Sequence, residues 1–198
     1  MKLALMYFIE ITCESAFNDA LLLNYSSSLT VIFNKGLADP SNEVQVATFK
    51  TLTIFLSTIQ DDGNMKQFNP ILKNILSKAI ELIKFDQESG ISALESLNEL
   101  IESHPKFIKP IFDDLLMIYT EIMETQQLLI NLRSTAMSGI LTLCMNHHTL
   151  VRKSSHFKTR MVPSYMKMLA EVDSTTLEEW SEELIDEQIS KHHISMIA

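Results

Sequence analysis

The sequence predicts an all-α fold: an α-α superhelix of about four antiparallel helix pairs. Three observations predict it. Only four Gly and five Pro interrupt 198 residues, too few chain-breakers for a turn-rich β fold. Leu, Ile and Met carry the apolar pattern while Val is sparse, a bias toward residues that lose little rotamer freedom in a helix. The apolar positions also recur at helical spacing, in runs separated by short polar breakers.

The elements follow in order. A first helix covers residues 2–14, and a second covers 17–35 and stops at Gly36. Asp39-Pro40-Ser41-Asn42 is a turn and a helix start, with Ser41 or Asn42 able to cap. The third helix runs to about Ile59, and Asp61-Asp62-Gly63-Asn64 reads as a loop. A fourth helix continues through Phe85, and a fifth spans 87–103 and ends at His104-Pro105. Residues 106–125 make the sixth and 128–146 the seventh, and an eighth contains 163–172.

Eight helices with short connections imply antiparallel neighbours. In the first helix of each pair, Leu5 and Ile9 are spaced like Thr48 and Leu52, Ala93 and Leu97, and Ala136 and Ile140. From Ile9 through Leu52 and Leu97 to Ile140 the steps are 43, 45 and 43 residues, within the range of HEAT and armadillo repeats. Pro70, Pro110 and Pro163 each stand near the start of a second helix, where a missing N–H costs little. The last interval is longer, which places extra residues around 151–160. The reading is therefore HEAT repeats at 1–36, 41–85, 87–125 and 128–172, with 173–198 as an acidic loop or short helix and the start of another repeat. One helix pair cannot bury both its apolar faces, whereas a stack builds a continuous core with a concave and a convex surface. Ala93 and Ala136 are expected at close helix crossings. The apolar run at 1–11 reads as a core helix, and its lack of a cap suggests a piece of a longer array.

The net charge of −9 disfavours direct binding to a phosphate backbone and favours basic partners. The run at 1–11 has Lys2 in front, but no small-residue cleavage site follows, Glu10 and Glu14 interrupt it, and it is too short to span a membrane. No other segment qualifies, so no membrane insertion is expected. Cys13 and Cys144 each sit in an apolar run and read as buried thiols. His147-His148 and His192-His193 lack companions at ligand spacing and read as solvent-facing. No nucleophile motif, phosphate loop or metal signature is present, so neither an enzyme nor a cofactor or metal is expected.

The stretch at 89–110, with Ser92-Ala93-Leu94-Glu95 leading to His104-Pro105-Lys106-Phe107, resembles the importin-beta superfamily, in particular its karyopherin-beta 3 type. Leu132-Arg133-Ser134-Thr135-Ala136 is similar to the family's first-helix pattern. Leu150-Val151-Arg152-Lys153, with Met161-Val162-Pro163 and Met166 to Leu169, is similar to its second helix. An acidic segment with Trp180 stands where the family has one. The resemblance runs from about 28 to 187. It implies an internal piece of the N-terminal half of a nuclear transport receptor, shuttling between cytoplasm and nucleus. The implied partners are the GTPase Ran, basic import cargo and Phe-Gly repeat nucleoporins, the last inserting Phe between first helices. A HEAT scaffold of another kind, such as a phosphatase or microtubule-associated subunit, shares the fold and stays open.

Asp113, Glu121 and Glu124 fall on the polar side of the sixth helix, opposite Ile111, Leu115, Ile118 and Ile122. That pattern also suits a plain solvated face. The resemblance implies that second helices line the concave, partner-binding surface. In a helix over 177–188, Leu177, Trp180, Leu184 and Ile185 would share one face, and Glu178, Glu179, Glu182, Glu183 and Asp186 would occupy the other. A solvated linker is the alternative for this segment. Arg152, Lys153, His156, Lys158 and Arg160 form a basic cluster that pairs with the acidic segment or is simply solvated.

Overall fold

A computed structural model describes residues 1–14, 24–59 and 61–171. Eight principal helices are named here: α1 (Lys2–Glu14), α2 (Ser26–Leu37), α3 (Asn42–Thr58), α4 (Leu72–Phe85), α5 (Gln87–Ser103), α6 (Phe112–Glu124), α7 (Ile130–Asn146) and α8 (Val162–Leu169). No strand occurs among the described residues. The fold is an all-α solenoid of the HEAT type. Its first helices α1, α3, α5 and α7 begin at residues 2, 42, 87 and 130 and stack side by side. Each of α2, α4 and α6 leans most heavily on the first helix that follows it. The reason lies in the connections: Asp86 alone separates α4 from α5, whereas longer lead-ins separate α3 from α4 and α5 from α6.

Those lead-ins hold the prolines. Pro70 lies in a 3-10 turn (Lys66–Ile71) and Pro110 in another (Lys109–Ile111), while Pro163 stands in the first turn of α8. The extra residues of the last repeat form a short helix (His148–Lys153) and a π turn (Phe157–Met161). Residues 106–125 are thus not one helix. A short helix (Pro105–Ile108) and the Pro110 turn precede α6, because proline supplies no N–H for a continuous ladder.

Two other breakers act differently from the sequence reading. Asp61 does not sit in an open loop. Its carboxylate accepts the Asn64 N–H at 3.0 Å and caps a one-turn helix (Asp62–Met65). Gly36 does not stop α2, which continues to Leu37. A Cβ on Gly36 would lie 2.3 Å from Thr48 Oγ1, so the glycine lets α2 and α3 approach. The caps shift as well: Ser41 stands at the N-cap of α3 with no side-chain bond, and Asp39 accepts the Ser41 N–H at 3.1 Å instead. Asp86 caps α5, accepting from Ser89 N–H at 2.9 Å and Ser89 Oγ–H at 2.6 Å.

One continuous core runs through the stack. Phe33 of α2, Phe55 of α3 and Phe68 of the lead-in to α4 form an aromatic row, with ring centroids 5.6 and 5.5 Å apart. In α1, Met6, Ile9 and Cys13 are buried, while Leu5, Tyr7, Phe8 and Ile11 are exposed. Ala93 and Ala136 are buried as expected. Ala136 is fully enclosed, so Ala136→Leu is expected to overpack α7 and cost about 2 kcal/mol. An unchanged urea midpoint would show that the site has room to spare.

Candidate protein-binding surface

α6 sorts its residues as the apolar period requires. Phe112, Leu115, Leu116, Tyr119, Ile122 and Met123 are buried, Ile118 is half-buried, and Asp113, Glu121 and Glu124 are exposed. The three acids do not converge. Asp113 lies in the first turn beside Asp114, where negative charge suits the helix N-terminus. Glu121 and Glu124 stand at the other end, about 12 Å or more along the axis at 1.5 Å per residue.

Glu124 already has partners. It accepts from Arg160 Nη2 at 2.7 Å and from Ser164 Oγ at 2.5 Å, joining α6 to the start of α8. Arg160 beside it holds the Glu124 carboxyl below its usual range. Glu121 lies 3.8 Å from Arg160 Nη1, a looser pairing. Arg160 therefore pairs with α6. His156 of the same cluster brings Nε2 to 3.3 Å from Thr120 Oγ1, and Arg152, Lys153 and Lys158 are exposed.

Glu178, Glu179, Trp180, Glu182, Glu183 and Asp186 lie outside the described residues. Glu171, the first acid of that segment, is described, and it is engaged. Its Oε2 accepts from Arg133 Nη2 at 2.6 Å and its Oε1 from Gln126 Nε2 at 3.4 Å. Arg133, at 5 % exposure, also donates Nε–H to the Met123 carbonyl at 2.9 Å. One guanidinium thus closes the C-terminal end of α6 and ties Glu171, two residues beyond α8, to the start of α7. Sequence reasoning did not single out Arg133 for this role.

His147 does not face solvent. It is 9 % exposed and its ring meets Phe112 edge-on at 5.6 Å, whereas His148 is exposed. Its Nε2 has no hydrogen-bond partner. Burial pushes its pKa down, the charge on Lys109 adds to this, and the Pro105 carbonyl opposes it. Cys13 is buried and Cys144 half-buried, with burial raising the Cys144 thiol. Among the described residues no three His, Cys, Asp or Glu side chains are grouped to hold a metal ion. No described helix is long and apolar enough to cross a membrane.

These titrations set an acid dependence. Hydrogen bonds depress Asp39, Asp86, Glu124 and Glu171 in the folded state, their leading partners being Lys2, Ser89, Arg160 and Arg133. A depressed carboxylate contributes stability that is present above its unfolded pKa, about 4, and lost as pH falls through the folded value. His147, also depressed, favours the folded state fully only above its unfolded value of about 6.5. Melting temperature is therefore expected to decline first below about pH 6.5 and again below about pH 4. His147→Leu should abolish the first decline and keep the second. A flat profile between pH 7 and 5 in the unsubstituted chain would contradict the buried, neutral imidazole.

Residues 14–118, just over half of the chain, match a family described as "IPO5-like, TPR repeats". The first helices begin 40, 45 and 43 residues apart, longer than the 34-residue tetratricopeptide unit and of HEAT length. Over 162 residues the chain is 22% identical to a probable importin-5 homolog of Dictyostelium discoideum, covering 81% of this chain and 15% of the relative. Over 159 residues it is 22% identical to importin subunit beta-3 of Saccharomyces cerevisiae, covering 79% and 14%. The chain thus spans about a seventh of the length of these curated relatives. No solved structure matches.

Proposed function

Because this chain belongs to the importin-5-like family of helical-repeat proteins, we propose that it is a segment of a nuclear transport receptor, a scaffold that binds proteins and catalyses nothing. The observation that carries this reading is the family match over 14–118, together with likeness to two importins over about four-fifths of the chain. The division into repeats at 1–36, 41–85, 87–125 and 128–172 belongs to the same proposal. So do its partners: Ran in its GTP form, basic cargo, and Phe-Gly nucleoporins met as the receptor shuttles between cytoplasm and nucleus.

The net charge of −9 supports basic partners. Because Arg160 engages Glu124 and Arg133 engages Glu171, the candidate acids left for a partner are Asp113, the more loosely paired Glu121, and Glu178, Glu179, Glu182, Glu183 and Asp186, which flank Trp180 in the sequence. Attraction by exposed charges weakens as salt rises, the Debye length being about 8 Å at 0.15 M.

The test is retention of Ran, loaded with GTP or with GDP, on the immobilised chain. Preferential retention of the GTP form is expected, with slower association at low salt after the five C-terminal acids are replaced by Gln or Asn. Equal retention of both forms would remove Ran from the reading. Unchanged rates in the substituted chain would reduce the acidic segment to a linker.

A further inference from the structure

Where the C-terminal ends of α4 and α6 meet the start of α5, the surface opens into a groove of about 650 Å³. Volumes of a few hundred to a thousand Å³ are typical of ligand-binding clefts. Its apolar walls are Ile80 and Ile83 of α4 and Ile118 and Ile122 of α6. Phe85 and Leu129 stand at its mouth, 65 % and 45 % exposed. The loop side is held in place: Leu129 N–H donates to Gln87 Oε1 at 2.6 Å, fastening the α6–α7 connection to α5.

The charged lining is Asp86, Glu88, Glu121 and Lys84, three carboxylates to one ammonium. The hydrogen bonds from Ser89 keep Asp86 ionised. Glu121 keeps a loose pairing with Arg160, whose short contacts go to Glu124. An apolar slot with an acidic rim selects an apolar anchor next to a cation. The sequence at 171–187 has no Lys or Arg, so it lacks the cation that this rim selects. A second copy, at net charge −9, is disfavoured for the same reason.

We infer that this groove binds a short peptide segment of a partner protein, with one aromatic or large aliphatic side chain between the walls and flanking Lys or Arg at the carboxylates. The inference rests on reading the chain as a partner-binding scaffold, and it assigns that binding to a particular place.

Fluorescence anisotropy on the whole 198-residue chain tests it, with a labelled ten-residue Gly/Ser peptide carrying one Phe flanked by two Lys on each side. Phe-to-Ala and Lys-to-Glu versions of the peptide serve as controls. Both controls are expected to lose at least tenfold in affinity. Phe85→Ser in the chain should cost about fivefold or more, an order-of-magnitude figure for a truncated anchor contact. The double variant Glu88→Gln/Glu121→Gln should flatten the salt dependence. All three substituted positions are exposed, and unchanged circular dichroism confirms folding. Amide shifts should cluster at Ile118, Ile122 and Leu129. Equal binding of the Lys-to-Glu peptide, shifts centred on Phe8 and Ile11 of α1, or self-association abolished by Phe85→Ser would each overturn the assignment. Loss of the groove with Ran-GTP retention intact would sink this site and leave the transport reading standing, while the opposite result would do the reverse.

Discussion

Replacing Gly139 by Ala is expected to destabilise the chain by about 3 kcal/mol, the upper end for overpacking a filled core. On an exposed helix the same change would stabilise by about 1 kcal/mol through helix propensity, so the sign alone is diagnostic. The cause is a polar knot over the glycine. Tyr119 of α6, fully enclosed, donates its O–H to Asn98 Oδ1 of α5 at 2.8 Å. Asn98 Nδ2–H in turn donates to the Thr135 carbonyl of α7 at 3.1 Å. A Cβ on Gly139 would lie 2.2 Å from Tyr119 Cε2 and 2.4 Å from Asn98 Oδ1. Both atoms are locked by those bonds and by burial, which also raises the Tyr119 phenol far above its ordinary pKa. At about 2–4 °C per kcal/mol for a chain of this size, the melting temperature should fall by roughly 6–12 °C. Tyr119→Phe keeps the clashing ring and should not rescue the variant. Tyr119→Leu removes the ring and should rescue it in part, a non-additivity expected of residues in contact. A Gly139→Ala chain at least as stable as the original would mean that α6 and α7 are not packed this closely.

Periodicity and breakers made the solenoid legible, because they are local signals. The boundaries of α5 and the ends of α3 and α7 could be read within a residue or two from Ile59, His104-Pro105 and Asn146. Features set by a distant partner could not. Gly36 looks like a stop, yet its role is decided by Thr48 on the next helix. His147 looks like half of a surface pair, yet Pro105, Lys109 and Phe112, some 35 to 42 residues earlier, enclose it. The polar face of α6 was readable from spacing, but the neutralisation of Glu124 by Arg160, 36 residues on, was not. An arginine beside Leu132 in an apolar run was the available hint for Arg133. Only the fold brings Glu171 to it, 38 residues away.

Arg133→Ala is expected to cost about 3 kcal/mol, the lower end for removing one partner of a buried ion pair. The lower end applies because Glu171, with 27 % of its side chain exposed, regains water when Arg133 is lost. The Met123 carbonyl at the end of α6 does not regain a partner as easily, since its donor Nε–H is buried with the guanidinium. Arg133→Lys should recover little: a single ammonium lacks the planar fork that reaches a carbonyl with Nε–H and a carboxylate with Nη2–H together. Glu171→Gln keeps an acceptor for Nη2 and should move the melting temperature least. The three variants therefore rank, from most to least destabilised, Ala, Lys, then the Gln substitution at 171. The Arg133 variants should also lose amide-exchange protection first at Val162–Leu169, since the pair fastens the end of α8 to the start of α7. Uniform loss across α1 to α8 would instead make Arg133 an ordinary core contact, with no special hold on the last helix.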